Sequence, residues 1–216
     1  DKDYIDCGAK VVQTQDELYS HGELIIKVKE PTPDEFKYLN NKHTLFAYLH
    51  LAADKDQSND LIKTGVTGIA LETITAENGT MPLLAPMSKI AGRIGVVVGS
   101  YFLLKPQKGI GVLLGGVDQI EPRTVTIVGA GVAGEAAIRQ ARDNGSHVKV
   151  LDLSMERLNQ LKSQFNDDNI EYIYSDQNSI ANTLKDSDLV IGSVYVVGKE
   201  APKVIEDSML NAMKRG

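Results

Sequence analysis

"TVTIVGAGVAGEAAIRQARDNGSHVKVLDL", residues 124–153, runs from a β-rich stretch through a glycine cluster into an amphipathic segment and back to a β-rich stretch. "TVTIV" reads as a strand, Val132 to Asn144 as a helix stopped by Gly145, and "HVKVLDL" (147–153) as a second strand. Gly129, Gly131 and Gly134 stand between the first strand and the helix in a Gly-x-Gly-x-x-Gly arrangement. Gly129 permits a tight turn, Gly131 lets backbone approach a pyrophosphate, and Gly134 lets the helix lie close to its strand. The amides of Val132 and Ala133 open the helix, where the positive end of its dipole favours an anion. Such glycines alone also suit a plain turn between strand and helix. Here, however, Asp152 ends the next strand 18 residues after Gly134, near the roughly 20 of a dinucleotide fingerprint.

Asp152 bears on the choice of cofactor. A carboxylate at this point accepts hydrogen bonds from both adenosine ribose hydroxyls, and it repels a 2′-phosphate by about 1 to 4 kcal/mol per charge pair at contact. Arg157, five residues on, is the residue that would offset that repulsion, and its helical position directs it to the adenine side or to solvent. NAD is therefore expected over NADP.

The alternation extends both ways. Downstream, "MERLNQLKSQF" reads as a helix, "IEYIYS" as a strand, "SIANTLKDS" as a helix, "DLVIGSVYV" as a strand and "PKVIEDSMLNAMKRG" as a final helix. Upstream, "ELIIKVK" (23–29), "TLFAYLHL" (44–51) and "VTGIALETI" (66–74) read as strands. A short helix opening on Thr32 and another over 54–65 separate them. Strand and helix in alternation point to right-handed crossovers and parallel sheets. "APMSKIAGRIGVVVGSYFLL" (85–104) reads as a long helix whose Gly92, Gly95 and Gly99 lower helix propensity by roughly 1 kcal/mol each, which close approach of another backbone would offset. "KPQKGIGVLLGG" (105–116) lacks the Gly-Lys-Ser/Thr ending of a phosphate loop and reads as a connector. The expected fold is α/β, with two doubly wound parallel-sheet domains, the second a Rossmann dinucleotide-binding domain. The expected divisions are residues 1–84, a connecting helix at 85–104, and 105–216.

Composition narrows the function classes. A net charge of −6 without a basic block argues against nucleic-acid and membrane-surface roles. One cysteine, Cys7, excludes an internal disulfide and fits a reducing cytoplasm. The longest apolar stretch, 94–104, falls short of the about 20 residues of a membrane span.

Ligands of open parallel sheets bind beyond the carboxyl ends of the strands. Lys29 closes the first strand, His50 nearly closes the second, and Glu72 lies at the matching end of the third. Neighbouring parallel strands would bring Lys29 and His50 to one crevice, facing the edge that holds the nicotinamide. Lys27, further back on the same strand face, reads as a surface lysine. His50 also suits a satisfied core histidine, and Glu72 a strand cap.

"KVKEP", "YLHLAAD", "GVTGIALET", "PLLAPMSKIAGR", "GVLLGGV", "VGAGVAGEAA", "VLDLSMERL" and "DLVIGSVYVVGKEAPK" stand in an order and spacing that resemble the alanine dehydrogenase family across essentially the whole chain. That family shares its fold with the alpha subunit of the proton-translocating transhydrogenase. "APMSKIAGR" and "YLHLA" resemble the dehydrogenase side. The resemblance implies NAD-dependent, reversible oxidative deamination of L-alanine to pyruvate and ammonium. It implies that Lys29 binds the substrate carboxylate and polarises the carbonyl, and that His50 moves protons, a task suited to an imidazole. It matches Met87 to a substrate contact. It matches Ser88, Val132, Ala133, Asp152, Arg157, Ser175, Val194 and Tyr195 to the cofactor, the last two as the end of a strand. It further implies a cytoplasmic homo-oligomer, a hexamer in the family, with the 85–104 helix as a contact. Relatives carry a further amino-terminal strand and helix with a carboxylate-gripping arginine, and a later strand ending in an acid–base aspartate. The expectation is a chain truncated at both ends, with turnover impaired even where NAD binds. Competing expectations are a carboxyethyl-amino-acid or opine-type synthase, a transhydrogenase-like coupling module, and a regulatory NAD-binding domain in which Lys29 and His50 are structural.

Overall fold

The structure, a computed structural model, describes residues 1–214. The chain divides into two compact units, Asp1–Leu84 and Ala85–Gly216. Arg215 and Gly216, the end of the helix expected over 202–216, lie outside the described residues.

In the first unit two helices, α1 (Lys2–Asp6) and α2 (Gln15–His21), precede the sheet. Neither was expected from the pattern. The start of α2 is nonetheless written locally, because the Thr14 side chain accepts the Glu17 amide at 3.2 Å as an N-cap. Strands β1 (Leu24–Ile26), β2 (Thr44–Ala47) and β3 (Thr67–Ala70) pair in parallel in the order β1-β2-β3. In β2, Leu45 and Ala47 are buried while Thr44 and Phe46 are half-exposed, the period-2 signature of a pleated strand. β1 is shorter than the run 23–29, yet the pairing continues past it. The Lys27 amide donates to Phe46 O and the Tyr48 amide to Val28 O, each at 3.1 Å.

The helix expected after Thr32 is only a 3-10 turn, Phe36–Tyr38. The cause is Glu35, whose buried carboxylate turns inward and takes the Thr32 amide at 2.6 Å, which folds the segment round a side chain. Helix α3 (Lys55–Thr64) starts on an Asp54 cap and ends at Gly65, whose φ of +72° suits glycine.

The second unit opens with α4 (Ala85–Phe102). Then follow β4 (Thr124–Val128), α5 (Val132–Asp143), β5 (His147–Asp152), α6 (Met155–Phe165), β6 (Ile170–Tyr174), α7 (Gln177–Lys185), β7 (Leu189–Gly192) and α8 (Asp207–Asn211). The four parallel strands lie in the order β6-β5-β4-β7, so the chain winds outward from β4 and then crosses to its other side. Val125 to Val128 are all buried, as a central strand covered on both faces requires. Ile127, Ile138, Val150, Leu158 and Leu161 make the core between sheet and helices.

Several boundaries differ from expectation. α7 begins two residues early because Asp176 and Ser179 form a reciprocal capping box. β7 stops at Gly192, because its partner β4 ends at Val128 and only the Ser193 amide still reaches Val128 O, at 2.8 Å. Val194 and Tyr195 therefore lie beyond the strand rather than ending it. The last helix is confined to Asp207–Asn211, while Val204 and Ile205 pack outside it in the cluster around Ile180, Leu184 and Met209. Among the described residues no helix is long and apolar enough to cross a membrane.

Contact explains Gly92 of α4 but not Gly95. A Cβ on Gly92 would lie 2.0 Å from the Ala133 carbonyl oxygen, whereas one on Gly95 would meet Ile191 at an ordinary 3.5 Å. Gly92→Ala should therefore force α4 off α5 and destabilise by about 1–3 kcal/mol. Gly95→Ala should be neutral or gain up to about 1 kcal/mol of helix propensity. Thermal denaturation of the two variants checks the contrast, and equal melting temperatures would refute it.

Candidate functional site

At the carboxyl edge of the second sheet, Gly129 has φ +101° and Gly131 is the N-cap of α5. A Cβ on Gly134 would stand 1.9 Å from the Gly129 carbonyl oxygen, so only glycine lets α5 sit on the loop. A Cβ on Gly131 meets nothing within 4 Å, which leaves room beside the first amides of α5. Those amides have no carbonyl partner in their own helix. From the β7 side, Ser193 Oγ donates to Gly129 O at 2.6 Å. Sequence reading did not single out Ser193.

Asp152 ends β5 and fastens two loops. Its Oδ2 accepts the Ala130 amide at 2.7 Å and its Oδ1 the Ser154 amide at 2.8 Å. Ser175 is buried beside it, its amide donating to Asp152 O at 2.9 Å. Arg157 is neither in solvent nor free. Its Nε donates to Ala130 O at 2.8 Å and its Nη2 to Glu135 Oε2 at 2.6 Å. Glu135, also missed in the sequence, accepts from Arg139 at 2.9 Å and Gln164 at 2.8 Å through its other oxygen. Burial pushes its carboxyl up, but the bonds from Gln164, Arg157 and Arg139 outweigh this and hold it at about 2. Met87 and Ser88 lie in the first turn of α4, Met87 exposed and Ser88 half-buried. Val194 is half-buried against the cluster of Ile180 and Leu184, and Tyr195 is exposed.

The first unit has its own edge. His50 is exposed, with φ +48°, an uncommon conformation for a residue with a Cβ. Buried Glu72 holds it there, Oε1 accepting the His50 amide at 2.7 Å and Oε2 the Leu49 amide at 3.2 Å. Gln57 donates to Leu49 O at 2.7 Å and Ser58 to Leu51 O at 2.8 Å, so the whole turn after β2 is pinned from α3. The His50 ring stacks near Tyr48, centroids 6.2 Å apart, and its Nδ1 lies 3.2 Å from Glu30 Oε2. Lys29 is exposed and, among the described residues, makes no ion pair. The Glu30 carboxyl is lowered chiefly by its own backbone amide, with His50 and Lys29 adding to the effect. One carboxylate thus senses both the ammonium and the imidazole.

Lys27 corrects its expected role as a surface lysine. Its Nζ lies 2.6 and 2.5 Å from the two oxygens of buried Glu35, which also accepts from Tyr19 Oη at 3.0 Å. The two lysines part because Val28 makes the last bond to β2, after which the chain leaves the sheet and carries Lys29 outward.

A glycine loop at the topological switch of a four-stranded parallel sheet, with an acid ending the adjacent strand, defines a Rossmann-type α/β protein. More narrowly, the chain belongs to the alanine dehydrogenase/PNT family: the model of the family's C-terminal domain matches residues 95–216 and that of its N-terminal domain residues 1–91. It is 43% identical over all 216 residues to the alanine dehydrogenase of Mycolicibacterium smegmatis and 44% to that of Halomonas elongata, covering 58% of each relative's length. A solved L-alanine dehydrogenase superposes with a TM-score of 0.86 at 40% identity, over 100% of this chain and 59% of that one. The transhydrogenase from Sinorhizobium meliloti, with a TM-score of 0.77 at 22% identity over 99% of this chain and 61% of that one, shares the fold.

The Glu35 cluster generates a pH prediction. Burial pushes this carboxyl up, yet the bonds from Lys27, Thr32 and Tyr19 bring it to about 2, below its ordinary 4.5. The ionised form therefore favours the folded chain, fully above about pH 4.5, and this contribution is lost as pH falls through about 2. Glu35→Gln should lower stability near neutral pH by on the order of 1–3 kcal/mol and flatten that part of the acid dependence. Urea denaturation at about pH 7 and about pH 3 measures both, and an unchanged midpoint at neutrality would contradict the assignment.

Proposed function

We propose that this chain contributes the substrate edge and the dinucleotide edge of an enzyme for NAD-dependent, reversible oxidative deamination of L-alanine to pyruvate and ammonium. Identity of 39–44% to proteins named alanine dehydrogenase, along the full chain, supports the reading. The chain spans 58% of the length of those relatives. The observation that carries the proposal is the pairing of Lys29 and His50 about Glu30, with the imidazole fixed by the grip of Glu72 on its amide.

The residues fit a dinucleotide. The open space at Gly131 and the first amides of α5 suit a pyrophosphate, with Gly129, Val132, Ala133 and Gly134 shaping the loop. Asp152 keeps lone pairs for ribose hydroxyls after taking its two amides. Ser175 and Arg157 flank that end, and Ser88, Val194 and Tyr195 complete the reading. Bound NAD supplies a hydride acceptor for the Cα–H of alanine.

The protein's own residues supply the rest. Lys29, a compact charge on a long stem, neutralises the alanine carboxylate and polarises the C2 oxygen of pyruvate in the reverse direction. His50 removes the proton of the water that adds at C2 after the hydride departs, and returns a proton as ammonia leaves. A fixed imidazole does this without first being ordered, and the Glu72 anchor confers that fixity. A cytoplasmic homo-oligomer assembled through α4 completes the proposal, in keeping with the exposed Ile90, Ile94 and Val98 on that helix.

The test is alanine-dependent NADH formation by the full-length protein. His50→Ala should reduce turnover by about 10²–10⁴-fold while NAD affinity stays within about twofold, and unchanged turnover would return His50 to a structural role. Gly131→Val should leave the melting temperature nearly unchanged, because its side chain enters open space. It should weaken NAD binding by at least about tenfold, a loss of roughly 1.4 kcal/mol. Calorimetric titration decides this, and full NAD affinity in the valine variant would move the pyrophosphate elsewhere.

A further inference from the structure

We infer that Glu135 is a specificity-determining residue, one that holds Arg157 against the glycine loop and so withholds it from a 2′-phosphate. The inference rests on the reading of the second unit as a dinucleotide site. Asp152 alone disfavours a 2′-phosphate by charge, but a cation near it would cancel much of that repulsion. Arg157, at the start of α6 and close enough to Asp152 to bond the neighbouring Ala130 carbonyl, is the residue able to do so.

Its geometry prevents this. Nε is committed to Ala130 O at 2.8 Å and Nη2 to Glu135 Oε2 at 2.6 Å. The two side chains are 29% and 25% exposed, so the pair is only partly screened by water. Glu135 is itself fixed, because Arg139 and Gln164 hold its second oxygen from α5 and α6. An Arg157 that swung out to a phosphate would leave a half-buried carboxylate short of its closest charge partner. Glu135 stays ionised at any working pH, which keeps the clamp closed. Sequence alone shows an arginine beside the ribose acid; the structure shows that arginine already engaged.

The experiment titrates NAD and NADP by calorimetry into the wild type, Glu135→Gln, Asp152→Ser and the double variant, with circular dichroism reporting the fold. In the Asp152→Ser background, adding Glu135→Gln should raise the NADP-to-NAD affinity ratio by about tenfold, the order one surface charge pair supports. Adding Arg157→Ala should then abolish the gain. An unchanged ratio in folded double variant overturns the inference. Should Glu135→Gln fail to fold, Arg157→Ala in the Asp152→Ser background decides. With Glu135 intact it should leave NADP affinity unaltered, and an about tenfold fall there would mean that Arg157 was available all along. Wild-type protein that binds neither dinucleotide overturns the site reading itself, a result distinct from NAD binding with an unmoved ratio.

Discussion

In both units every strand runs parallel to its neighbour, so each sheet delivers all its carboxyl ends to one edge. Residues far apart in the chain become neighbours there. His50 and Glu72 meet in this way at the edge of the first sheet. Gly129, Asp152, Ser175 and Ser193 meet at the edge of the second. The hydrogen-bond ladder also ends at that edge, and the irregular chain beyond it needs other partners for its amides and carbonyls.

Inward-turned carboxylates supply many of those partners. Glu72 takes two successive amides under the His50 turn, and Asp152 takes one amide from each of two loops. Glu35 gathers Lys27, Tyr19 and the Thr32 amide, while Glu135 gathers two arginines and a glutamine. A charge-assisted bond of this kind contributes about 1.5–3 kcal/mol, and loss of one partner leaves the other stranded. The consequence is a rigid backbone at these edges. On the proposed reading, a histidine held at φ +48° by a buried acid presents its ring from a fixed backbone, which would suit proton transfer better than a mobile loop.

The same device separates residues that look alike in sequence. Lys27 and Lys29 are two positions apart just beyond β1, and each is followed within reach by a glutamate. One becomes half of a partly buried ion pair and the other stays exposed, because the backbone pairing ends at Val28 between them. Arg157 likewise carries the same charge whether it welcomes a phosphate or braces a loop, and its partner Glu135, 22 residues earlier in the chain, decides which.

The amino-acid sequence by itself determined the alternation of strands and helices, the parallel sheets, the glycine loop with its acid, and the family. Each of these is local patterning or a fixed spacing, and local sterics enforce them. Caps at Thr14, Asp54 and Asp176 are equally local, although none was read as a cap from the sequence. Tertiary structure alone decided the grip of Glu72 on His50, the burial of Lys27 on Glu35, the capture of Arg157 by Glu135 and the early end of β7 before Val194. Those outcomes depend on which side chain a neighbouring strand or helix brings within 3 Å or so, the range in which a hydrogen bond forms. That proximity is a property of the packed chain, and no spacing along the sequence encodes it.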